Sequence, residues 1–196
     1  MMEVHRLHAE LLGREVRILV VGCGGTGSAV LGGLPYLHQA MLAQGHPSGL
    51  SVTVMDGDVV SPANCVRQPF SCGEVGLNKG IVLISRINLF WGFKWKAIPH
   101  PLTAETLSVP SSSVYETALR PDIVVGCVDT RAARAIIAAC TAGRSGAGYL
   151  ARCRQQRFEW TVRNGRAVER EEQAITDAVA DGSRALFGGG RPGSRR

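Results

Sequence analysis

The chain has 196 residues, 45% of them apolar and 19% charged, which suits a single α/β domain with a sizeable core. No apolar run approaches the roughly 20 residues of a membrane span, and the opening MMEVHRLHAELLG mixes charges and histidines where a signal peptide would be apolar. The formal charge of +6 sits mostly in the tail: residues 1–150 hold 12 Lys and Arg against 10 acids, while the last 46 hold 10 Arg against 6 acids. That distribution argues against a nucleic-acid-binding face. The six cysteines Cys23, Cys65, Cys72, Cys127, Cys140 and Cys153 form no CxxC pair. Their scatter speaks against a zinc site or a disulfide scaffold and points to a reducing cytoplasm.

In chain order, Met2 to Leu12 suits a short packing helix with Val4, Leu7 and Leu11 on one side. Ile18 to Val21 are the residue types of a strand buried on both faces. Gly22, Gly24 and Gly27 follow in GxGxxG spacing, with Gly25 between them. In such a strand-turn-helix unit the first glycine permits the turn, the second lets backbone approach a phosphate, and the third lets helix and strand pack closely. A helix over 28–44 should turn Leu31, Leu34 and Leu37 inward, although Gly32, Gly33 and Pro35 weaken its start. Leu50 to Met55 reads as the second strand, and Asp56 just past it is placed to accept hydrogen bonds from a ribose.

The run DGDVVSPANCVRQPFSCGEVGLNK places Asp56, Asp58, Asn64, Arg67, Gln68 and Lys79 on a loop rich in turn formers. Two cations beside amide donors suit a triphosphate whose charge grows as it is attacked; a plain solvated loop is the alternative. Leu77 to Leu89 should be a helix with Ile81, Ile84, Ser85 and Ile87 to Leu89 around its inner side. The aromatic run Asn88 to Trp95 reads as core packing between that helix and a strand over Lys96 to His100. Stacking of bases would need those rings exposed in a basic groove.

Leu102 to Arg120 is uneven and reads as loop. Ile123 to Val125 form another buried strand, with Asp129 at the carboxyl end where open α/β sheets place ligands. Asp129 could hold magnesium on phosphates, and Asp129 or Thr130 could cap a helix over Arg131 to Cys140. Cys127 and Cys140 fall where buried structural thiols are expected.

With these residues in view, the sequence over 16–149 resembles the ThiF/E1-type adenylating family, which activates ubiquitin-like proteins. The family's glycine-rich turn is matched by Gly22 to Gly27, its D.D by Asp56 and Asp58, and its N..RQ by Asn64, Arg67 and Gln68. Its G..K is matched by Gly76 and Lys79, and its strand-end acid by Asp129. Within the family the sequence is most similar to the ThiF-related member of the PRTRC plasmid cassette. The resemblance implies a Rossmann-like, doubly wound, mostly parallel sheet. It implies that Asp56 holds the ribose, that Asn64, Arg67 and Lys79 handle the phosphates, and that Asp129 binds Mg2+. It further implies adenylation of the C-terminal carboxylate of a ubiquitin-like or sulfur-carrier small protein by ATP, in a homodimer. The family's N-terminal arginine segment RY..RQ and its thioester cysteine have no assignable counterparts.

Residues 150–196 lose the strand pattern such a sheet should continue, and end in a basic Gly/Arg-rich stretch read as a disordered tail. Back-translation with chosen codons, read one base later after Tyr149, can yield a strand-rich continuation. The expectation is therefore a domain over 1–149 and a frameshifted, atypical tail over 150–196, with the sheet incomplete at its C-terminal end. Two rival functions use the same glycines: a nicotinamide-dependent oxidoreductase, which leaves Arg67, Gln68, Lys79 and Asp129 without roles, and a non-catalytic scaffold.

Overall fold

In the computed structural model, residues 8–103, 121–142, 149–154 and 157–162 are described. Strand β1 (Val16–Val21) leads through the glycine turn into helix α2 (Gly25–Ala43), after a single turn of helix α1 (Glu10–Gly13). Strand β2 (Leu50–Met55), helix α3 (Lys79–Trp91) and strand β3 (Lys96–Ile98) follow. Strand β4 (Ile123–Gly126), helix α4 (Arg131–Ala142) and strands β5 (Tyr149–Arg154) and β6 (Arg157–Val162) complete the described elements. The sheet order is β3-β2-β1-β4-β5-β6. All neighbours are parallel except β5 and β6, which are antiparallel.

The chain moves outward from β1 to β2 and β3, then returns to the other side of β1 with β4. The carboxyl ends of β1 and β4 therefore flank the point where strand order reverses, the place an open α/β sheet leaves a crevice. Alternation along each strand builds a core on both faces. Ile18, Val20, Val52 and Val54 pack with Leu31 and Leu34 of α2 and Val82, Leu83 and Ile84 of α3. Leu19, Val21, Met55, Ile98 and Val124 pack on the opposite face with Ile137 of α4.

Several inward-facing assignments are corrected. Leu37, Ile81, Leu89 and Phe90 are exposed, Leu89 at 90% and Phe90 at 81%, and Ser85 also faces out. The buried stripe of α3 is Val82–Ile84 with Ile87 beside it. Of the aromatic run, Trp95 is buried and donates its indole N–H to the Leu50 carbonyl at 3.3 Å. Trp91 and Phe93 stack upon one another and link Trp95 to the surface.

The expectation that strand pattern stops at Tyr149 is also corrected. β5 adds to the free edge of β4 in parallel register, Ile123 opposite Tyr149 and Gly126 opposite Arg152, and β6 covers β5 in turn. The signal was present in RFEWTV, where Phe158, Trp160 and Val162 alternate with Arg157, Glu159 and Thr161 at the two-residue period of a strand. Val4, Leu7, Arg6, the loop over 104–120 and residues 163–196 lie outside the described residues.

Candidate functional site: a cleft over the carboxyl ends of two strands

Gly22 leaves β1 at φ +95°, where a side chain would be strained, and an added Cβ would lie 2.7 Å from the Cys127 carbonyl. At Gly27 a Cβ would fall 1.9 Å from the Gly22 carbonyl. These two glycines let α2 close directly against the end of β1. Gly24 and Gly25 differ: a Cβ on either would meet nothing within 4 Å. Gly24 is the N-cap of α2 and supplies no side-chain acceptor, so the first-turn N–H groups are left for an external anion.

A cleft of about 310 Å³ opens there, lined by Gly24, Gly25, Thr26, Arg67, Gln68, Cys127 and Asp129. That volume lies at the lower end of ordinary ligand sites, roughly 300–1,000 Å³. The fold thus brings together Gly24, Gly25, Arg67, Gln68 and Asp129 from three separated stretches of sequence. Arg67 and Asp129 are exposed on its wall. Oε1 of Gln68 is buried and has no hydrogen-bond partner. Among the described residues it is the sole such side-chain atom, and an orphaned acceptor in a cleft is satisfied by a ligand donor or water.

Asp129 and its neighbour divide two tasks that the sequence left open. Thr130 accepts the Ala133 N–H at 3.2 Å and so caps α4. The Asp129 carboxylate remains in the cleft. Among the described residues no group of three or more His, Cys, Asp or Glu could hold a metal. A hard cation here would rest on Asp129 and on ligand oxygens, which is how magnesium is commonly held on phosphates.

The other expected residues are not among those lining this cleft. Asp56 is buried, accepts the Cys23 N–H through Oδ2 and accepts the Asp58 N–H through Oδ1 at 2.7 Å. Asn64 is buried and caps the 3-10 turn Pro62–Asn64, its Oδ1 accepting from the Ser61 N–H at 2.9 Å and the Ser61 hydroxyl at 3.0 Å. Lys79 opens α3, nearly buried, and pairs with the exposed Asp58 at 3.1 Å. Asn78 fastens the same region by donating to the Asp56 and Asp58 carbonyls and accepting the Ile81 N–H. Burial, with the nearby Asp56 carboxylate, pushes the Cys23 thiol up and keeps it protonated.

Sequence reasoning left Thr26 without a role and read Cys127 as structural. Cys127 is indeed buried, yet it forms part of the cleft floor just past β4. Its place one residue beyond a central parallel strand was the available signal.

The sequence pattern of the ThiF family matches residues 11–147, from α1 to the threshold of β5. Among solved structures, the E. coli tRNA N6-threonylcarbamoyladenosine dehydratase TcdA is similar, with 23% identity and a TM-score of 0.49. That match covers 70% of this chain and 51% of TcdA. A second TcdA structure, in complex with ATP, matches with 22% identity and a TM-score of 0.45, covering 65% and 45%. PaaA is similar at 18% identity and a TM-score of 0.48, covering 70% of this chain and 37% of its own. The chain thus spans about half or less of the length of these proteins. No match is found among the curated proteins. No helix of the described residues is long and apolar enough to cross a membrane. With its glycine turn, its D.D loop and its Asp129 all inside the matched region, the chain belongs to the ThiF family.

Proposed function

We propose that this domain binds Mg-ATP in the cleft and adenylates the C-terminal carboxylate of a ubiquitin-like or sulfur-carrier small protein. One observation carries the reading: the open N-terminus of α2, Arg67, the unpartnered Oε1 of Gln68 and Asp129 converge on one cleft. A dinucleotide oxidoreductase needs the glycines alone and gives the last three no task. In the proposed reaction a carboxylate oxygen bonds to the α-phosphorus, the bond from that phosphorus to its bridging oxygen breaks, and pyrophosphate leaves with the electron pair.

The α2 N–H groups and Arg67 answer phosphate charge as it develops. Gln68 orients the nucleotide through its amide, and Asp56 fixes the turn that aims the N–H groups. A magnesium ion on Asp129 would neutralise phosphate oxygens and steady the leaving group. Lys79, paired with Asp58, reaches the phosphates by exchanging one anion for another. Homodimerisation and membership of the PRTRC plasmid cassette rest on the sequence resemblance.

The test is calorimetry with ATP, with and without magnesium, on the wild type, Asp129→Ala and Arg67→Ala, followed by pyrophosphate exchange with the small protein partner. Asp129→Ala should erase the magnesium-dependent part of binding. Arg67→Ala should lower exchange more than binding, by roughly a hundredfold to a thousandfold. Tighter binding of NADH than of Mg-ATP would overturn the reading.

A further inference from the structure

We propose that the Thr26 hydroxyl is a phosphate-binding group, donating a hydrogen bond to a phosphate oxygen of the nucleotide at the start of α2. This contact rests on the nucleotide reading above and employs a side chain that the reading leaves idle. Thr26 is the second residue of α2 and lines the cleft, half-buried, beside Gly24 and Gly25. Since neither glycine carries a side chain, Thr26 supplies the sole side-chain polar group that α2 brings to this cleft among the described residues.

Two hydroxyls stand near the start of the helix, and the fold uses one of them. Ser28 is buried and donates to the Gly25 carbonyl at 3.0 Å, the fold-back common to helical serine and threonine. Thr26 makes no such bond: among the described residues its hydroxyl has no partner in the chain. The backbone around it is equally open, because the first amide of α2 to reach a carbonyl is the Ser28 N–H, bonded to Gly24 at 2.9 Å. Gln68 Oε1, orphaned and buried in the same cleft, is an independent sign that the space is built to be filled.

The neighbours of the hydroxyl decide what it meets. The free N–H groups of the first turn and the Arg67 guanidinium are all donors, so the ligand atoms that satisfy them are acceptors. A phosphate carries several such oxygens, and one of them accepts from Thr26 while others face the amides. Branching at Cβ holds the Thr26 side chain to few rotamers, so fixing the hydroxyl on a ligand costs little entropy. The proton stays on the threonine oxygen throughout, which makes Thr26 a binding group and not a participant in bond cleavage.

Calorimetric titration of the full chain with ATP, with and without magnesium, compares the wild type with Thr26→Val and Thr26→Ser. Valine keeps the shape and removes the donor, whereas serine keeps the donor and removes the methyl. Thr26→Val should weaken ATP about tenfold, the size of one hydrogen bond to a charged group, and by the same factor in both conditions. Thr26→Ser should retain most of the wild-type affinity, and Thr26→Ala, which also lacks the donor, should match valine. The ligand-free proteins should share one melting temperature. Equal ATP affinity in wild type and Thr26→Val would overturn the assignment. So would a serine loss as large as that of valine, which traces the effect to the methyl, or a loss seen only with magnesium, which moves the contact to the metal. If the wild type binds no ATP, the nucleotide reading falls and this contact falls with it; ATP binding that valine leaves unchanged removes Thr26 alone.

Discussion

The carboxylate of Asp56 accepts the backbone N–H of Cys23, fastening the end of β2 to the glycine turn that follows β1. Its other oxygen holds the Asp58 N–H, so a single buried acid sets both loops that frame the cleft. Asp56→Ala leaves the buried Cys23 N–H and the part-buried Asp58 N–H without this acceptor and should cost about 2 kcal/mol. Asp56→Asn retains one acceptor oxygen and should cost about half as much. Urea unfolding gives the stabilities. Calorimetry should show ATP affinity reduced equally with and without magnesium, because the turn and not the metal has been disturbed. Loss confined to the magnesium-dependent part would contradict this role.

The four glycines divide into two that the fold needs and two that the ligand needs. Gly27→Ala forces a Cβ to within 1.9 Å of the Gly22 carbonyl, and overpacking against backbone should cost about 3 kcal/mol. Gly24→Ala meets nothing within 4 Å and sits at φ −65°, outside the left-handed region that favours glycine. It should keep the wild-type melting temperature while weakening ATP by at least an order of magnitude, since the methyl projects where a phosphate would approach. Equal effects of the two substitutions on thermal stability would show that the distinction is false.

At the opposite end of the sheet, Asp122 accepts two hydrogen bonds from Arg14 at 2.7 Å and one from the Arg17 backbone N–H at 2.9 Å. Burial alone would raise its pKa, but Arg14 and then Arg17 outweigh it and hold the carboxyl at about 2. The folded value lies below the unfolded one, so this stabilisation is full above about pH 4 and is lost as pH falls toward 2. The size is about 2 kcal/mol, reduced by the partial exposure of both arginines. Wild type should therefore lose more stability between pH 4 and pH 2 than Asp122→Asn does, measured by urea unfolding at each pH. Parallel slopes would remove Asp122 from the acid response.

Much of the frame was legible because glycine and β-branched residues carry local instructions. The LSVTVM run gave β2 with both of its ends, and VRILVVGCGG marked β1 and the turn. What the local pattern could not decide was which side of a helix meets the sheet. Ile81 and Leu89 are apolar residues that face solvent, and only the crossing of α3 over β2 and β3 determines that. The site was half legible for a related reason. Residue types announced a polar, phosphate-suited loop, but the tasks of Asn64, Asp56 and Thr130 depend on which backbone N–H lies nearest, and that is a property of the folded turn. The hairpin of β5 and β6 was obscured by its arginines, which sit at strand positions and mimic a basic tail.

The close contact of Gly27 with Gly22 has a thermodynamic consequence. A loop that must be ordered by its ligand charges that ordering against affinity, whereas this turn is jammed against β1 before anything arrives. The free N–H groups of the first turn of α2 are already aligned along the helix axis. Association should accordingly be fast and enthalpy-led, with little change in backbone order on either side of the encounter, and hydrogen exchange at Thr26 should slow only through coverage by the incoming phosphate.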